Sequence, residues 1–86
     1  MAVRYLVQGT YPGHVAGPMV LGLLLDGMIR GGETLVLETT GAPVRVLSID
    51  VHMRPTDAGL EVGLGLHPED APLVTAGSTL VSPPGA

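Results

Sequence analysis

The sequence predicts an all-β fold, a small closed six-stranded barrel with Greek-key-like connections, and three observations predict it. Thirteen glycines and eight prolines are spread through 86 residues, so apolar runs are broken before about ten residues and long helices are disfavoured. The chain is 45% hydrophobic but has no Phe or Trp; it is too apolar for disorder, and its core must be aliphatic. The segments between the breaks alternate apolar and polar residues with the period of a strand. A chain this short holds one domain and buries only about 60–65% of its unfolded surface. The expected domain spans residues 1–82, followed by a tail over 83–86.

The elements follow in order. Val3-Arg4-Tyr5-Leu6-Val7-Gln8 reads as a first strand that stops at Gly9, with Thr10-Tyr11-Pro12-Gly13 as a turn. Met19 to Leu25 reads as a second strand led by Pro18, and Asp26-Gly27 as a hairpin signal. Gly31-Gly32 precedes a third strand over Glu33–Thr39, which Thr40-Gly41-Ala42-Pro43 ends. Val44 to Met53 alternates most clearly, with a change of parity at Leu47-Ser48 that predicts a bulge. Arg54 to Gly59 reads as a loop, and Leu60 to Leu66 as a strand whose glycines suit a barrel corner. His67 to Pro72 has room for one turn of helix, and Thr79 to Ser82 is a last short strand. The expected core is Val20, Leu24, Ile29, Leu35, Leu37, Val46, Ile49, Val51, Val62, Leu64 and Leu80.

Charge and composition exclude several functions. The four basic residues, Arg4, Arg30, Arg45 and Arg54, face eight acids, for a net charge of −4. Nucleic-acid binding by clustered cations and stacking aromatics is therefore not expected. Cysteine is absent, which removes disulfides, thiolate nucleophiles and Cys-based zinc sites. No apolar stretch approaches the roughly 20 residues needed to span a bilayer, and Met1 to Tyr5 does not open a secretory signal, so a soluble cytoplasmic protein is expected.

Candidate chemistry is sparse. His14, His52 and His67 with Asp50, Asp57, Glu69 and Asp70 have no metal-ligand spacing, and alternating polar residues on a strand ordinarily face solvent. Ser48, Ser78 and Ser82 lie in no Gly-x-Ser-x-Gly elbow, and so small a barrel has little room for a substrate. Arg30, Arg45 and Arg54 could make an anion site or simply balance nearby acids. The reading that remains is Leu21, Leu23 and Leu25, whose neighbours Val20, Gly22 and Leu24 already supply the inward face of the strand. An apolar outer stripe on a small domain marks an interface unless Pro12–Gly17 or the tail folds over it.

A set of glycine motifs adds a resemblance. Gly22 is followed by Gly27-Met28-Ile29-Arg30-Gly31-Gly32-Glu33-Thr34-Leu35, then Ile49-Asp50-Val51-His52, then Ala58-Gly59-Leu60-Glu61-Val62-Gly63-Leu64-Gly65-Leu66, and finally Gly77-Ser78-Thr79-Leu80. In this order and spacing, Gly17 to Val81 resembles the second, β-barrel domain of translational GTPases, such as elongation factor Tu and the selenocysteine-specific elongation factor. The resemblance implies that barrel fold. It implies no GTPase activity, since that resides in another domain of those factors and no Gly-x-x-x-x-Gly-Lys-Ser/Thr loop occurs in this sequence. Where the family usually shows Thr, Arg and an acid, this chain has Leu21, Leu23 and Leu25, and the family's basic contacts to aminoacyl-tRNA have no evident counterpart. The expectation is a non-catalytic barrel standing alone, without cofactor or metal, that joins a protein partner or a second copy of itself through those leucines. The alternative is a translation-associated factor that contacts tRNA, the ribosome or a translational GTPase.

Overall fold

A computed structural model describes residues 2–14, 17–50 and 53–84, and for Pro12, Gly13 and His14 the backbone alone. The strands are β1 (Arg4–His14), β2 (Gly17–Asp26), β3 (Thr34–Leu37), β4 (Pro43–Ile49), β5 (Arg54–Thr56), β6 (Gly59–Leu66) and β7 (Thr79–Val81). One 3-10 turn over Ala71–Leu73 is the helical element among the described residues. All pairings are antiparallel. The order β2-β1-β7-β3-β4-β6, with β6 paired back to β2, closes six strands into a ring. Because Arg54–Thr56 pairs with Glu61–Gly59, β5 continues the β6 edge that β4 leaves after Ile49.

The inward positions repeat every second residue, as a closed sheet requires. Tyr5 and Val7 enter the core from β1, Leu35 and Leu37 from β3, Val44 and Val46 from β4, Val62, Leu64 and Leu66 from β6, and Leu80 from β7. The parity of β4 changes where expected: Val46 faces Leu66, then Ser48 faces Gly65, and this bulge returns Ile49 to the core side opposite Leu64. Tyr5 is the largest buried side chain, and its hydroxyl donates to the Val62 carbonyl at 2.7 Å. Burial pushes the Tyr5 phenol up, so it stays a neutral donor.

Several expectations need correction. β1 does not stop at Gly9; a bulge between Val7 and Gly9 lets it run on to His14, paired with β2. Asp26-Gly27 makes no hairpin, since β2 and β3 are not neighbours in the ring. Gly27 has a φ of +72°, and a Cβ there would run into the Ala2 carbonyl oxygen, so both the backbone conformation and the close approach call for glycine. Arg54–Thr56 is a strand rather than a loop, and β3 is shorter than Glu33–Thr39. Leu24 and Ile49 are half-buried and pack against the core rather than inside it. Val51, expected in the core, lies outside the described residues. Val3, Tyr5, Val7, Val44, Leu66 and Val74 are core members beyond those expected.

Candidate functional site

Chain direction places the loops. β1, β3 and β6 begin at one end of the barrel, where β2, β4, β5 and β7 finish, so Ala2–Val3, the 27–33 crossover, the turn from β5 to β6 and Ser82–Pro83 lie there. The crossover is no strand itself, but its end is tied to β4: the Gly32 N–H donates to the Val46 carbonyl and the Glu33 carbonyl accepts the Val46 N–H, both at 2.8 Å. It buries Ile29 in the core and leaves Met28 71% exposed.

Beside Ile29 the barrel interior is incompletely filled. A cavity of about 140 Å³ lies among Leu24, Met28, Ile29, Ile49, Met53 and Leu60, with Val62 and Leu64 as its floor. Leu25, 43% exposed, and Met53, 51% exposed, stand at the same end as Met28. On the other side of Met28 runs a groove of about 450 Å³ that holds Arg30, Glu33, Thr34 and Ser82. The Ser82 hydroxyl already accepts the Val3 N–H at 2.7 Å.

The predicted interface leucines separate. Leu21, Leu23 and Leu25 do point away from the core, and none belongs to the core cluster. They do not form one exposed stripe: Leu21 is half-buried, and Leu23, flanked by Leu6 on β1 and Glu61 on β6, is only 6% exposed. Leu25 alone remains open.

The arginines also separate. Arg4 pairs with Glu38, and Arg54 with Glu61 at 3.3 Å. Arg45 is engaged at the other end of the barrel, where Asp70 accepts its backbone N–H at 2.8 Å and its Nε at 2.9 Å. Held by these bonds from Arg45, the Asp70 carboxyl is lowered to about 2. That clip pins the segment after β6, and Val74 fills the core behind it. Arg30 is left with no carboxylate partner among the described residues.

The other chemistry is not assembled. Among the described residues no group of three His, Asp or Glu side chains is placed to hold a metal. His67 Nδ1 accepts the Glu69 N–H at 3.1 Å, and Ser78 bonds Thr75; no described serine, histidine and acid converge. His52 lies outside the described residues, as does the side chain of His14. No described helix is long and apolar enough to cross a membrane.

Translation elongation factor SelB from Methanococcus maripaludis, in its apo form, is similar in structure over 95% of this chain, with a TM-score of 0.72 and 22% identity. The chain has a translation-factor barrel fold. It spans 18% of the length of that SelB chain, and at this identity the likeness is one of fold. No family model matches the sequence, and no curated protein matches it.

The apolar end was missed by sequence reasoning for a physical reason. Leu24, Ile29 and Ile49 each read as ordinary core positions, and their gathering with Leu60 around one space depends on the closed ring. The available signal was Met28 beside Met53, two flexible side chains next to turn residues, since methionine is common at adaptable apolar surfaces.

Proposed function

We propose that this chain is a non-catalytic binding module whose working surface is the apolar end of the barrel, and that its partner is a protein. The observation that carries the reading is the apolar cavity of about 140 Å³ whose lining includes the exposed side chains of Met28 and Met53. Each buried aliphatic side chain contributes about 1.5–3 kcal/mol, and leaving these two side chains in water beside an unfilled cavity is costly unless something covers them. Of the leucine stripe, Leu25 is exposed at the same end of the barrel, while Leu23 has little left to bury.

Met28→Glu puts a charge on the rim without entering the core. Sedimentation of the wild type and capture of partners on both proteins test the reading. An assembly or a captured protein present with wild type and lost with Met28→Glu is expected; identical behaviour of the two would refute it.

A second reading, a role in translation, is favoured by the barrel's likeness to SelB. The net charge of −4 argues against unaided RNA binding. A gel shift with tRNA at low salt separates the two readings, since a complex that forms there favours the second.

A further inference from the structure

The groove beside the cavity gives this end of the barrel a second kind of chemistry. Met28 lines both spaces, so the cavity and the groove adjoin at that side chain. The groove holds Arg30, the arginine without an acid partner among the described residues, whereas Arg4, Arg45 and Arg54 are each engaged. An unpaired guanidinium next to an apolar hole calls for a ligand that carries an aliphatic group and an anion on adjoining atoms.

We propose that the apolar end binds the C-terminus of a partner polypeptide ending in an aliphatic residue, its side chain in the cavity and its terminal carboxylate on Arg30. The proposal rests on the apolar end being the working surface. A terminal Leu, Ile or Val carries both groups on a single Cα, while an internal acid places its charge at least one residue away from its apolar neighbour. The cavity, about 140 Å³, matches the size of hole, about 150 Å³, that takes one benzene in an engineered protein core. An isobutyl side chain is smaller than benzene and fits a space of that size. The larger groove, about 450 Å³, has room for the residues that precede the terminus. Arg forms the strong, two-pronged pairing that a carboxylate accepts. Glu33 shares the groove and is not ion-paired with Arg30; its like charge weakens the pairing, which makes it a second handle on the same contact.

The probes are the peptide acetyl-Gly-Gly-Leu with a free carboxylate, its C-terminal amide, and acetyl-Gly-Leu-Asp-amide, each titrated into the full chain and followed by amide NMR shifts. The free acid should shift Met28, Ile29 and Arg30, and the amide should bind the same residues roughly tenfold more weakly, the loss of about one charge-assisted hydrogen bond. Arg30→Gln should bring the acid down to the amide, and Glu33→Gln should strengthen the acid alone. Equal binding of acid and amide, or a preference that survives Arg30→Gln, would overturn terminus recognition and leave the apolar surface standing. An internal-acid peptide that binds as well as the free acid would overturn the choice of a chain end. No shifts around the cavity with any peptide would overturn this inference, while the reading of the surface on which it rests falls separately, if Met28→Glu behaves as wild type.

Discussion

Replacing Gly22 with alanine tests the packing at the centre of the barrel. Gly22 faces Val7 on β1 and Val62 on β6, an inward position where any other residue would place a side chain in the core. A Cβ there would collide with the Leu6 carbonyl oxygen and sit 2.8 Å and 2.9 Å from the Cζ and Cε2 atoms of Tyr5. The carbonyl belongs to the β1–β2 ladder, and the ring is fixed by full burial and by its bond to the Val62 carbonyl, so neither gives way without moving a strand. Overpacking a core by one methyl typically costs 1–3 kcal/mol, and with backbone as the obstacle a loss of about 3 kcal/mol or more is expected. A domain of this length has about 4–13 kcal/mol in total, and such a loss lowers the melting temperature by about 12–24 °C. Urea unfolding followed by circular dichroism measures it. Gly9→Ala is the internal control: it lies one strand over with nothing within 4 Å of its Cβ position, and should be neutral or stabilising by up to about 1 kcal/mol. A Gly22→Ala protein within about 1 kcal/mol of wild type would refute this account of how β1 and β2 meet.

Tyr5→Phe keeps the ring and removes the donor to the Val62 carbonyl; it should cost about 1–3 kcal/mol in the same unfolding assay, the penalty of leaving a buried acceptor short of a partner. Asp70 is lowered to about 2 from an ordinary 3.8, so on acidification the unfolded chain takes up that proton before the folded one does. Its contribution to stability is therefore complete above about pH 4 and lost as pH falls toward 2, and Asp70→Asn should flatten the decline over that window while lowering stability at neutral pH. Calorimetric titration with GTP and magnesium should give no heat of binding, because no phosphate-cradling loop occurs in the sequence; a micromolar isotherm would contradict this.

How much of the molecule was legible can be judged at particular residues. Period-two alternation located Leu35, Leu37, Val46, Val62 and Leu64 in the core, and the parity change at Leu47-Ser48 located the bulge, because both depend only on neighbours along the chain. Tyr5 was not legible. Its place in the core depends on Gly22, seventeen positions later, being opposite enough to make room, and that is a property of strand pairing. β5 was read as a loop for a similar reason. Three exposed residues with a central proline make a strand only where another strand offers a free edge, as β6 does beyond Ile49. At the candidate site the sequence singled out Leu25 and Arg30, yet in separate arguments; that they stand at one end of the barrel follows from ring closure. Leu23 showed the opposite limit, since alternation gives the face of a strand but not what flanks it.

The ring closes through β7, a strand of three residues that lies between β1 and β3. The first strand of the fold therefore waits for the last one, and until Thr79–Val81 is in place both β1 and β3 present rows of unmet backbone donors and acceptors. A half-made barrel is thus an open sheet with two sticky borders, the kind of surface on which chains pair with one another instead of with themselves. Closing the circle joins residues nearly eighty positions apart and delays folding accordingly. Three residues therefore decide whether the polypeptide ends as a self-contained cylinder or as material for aggregates.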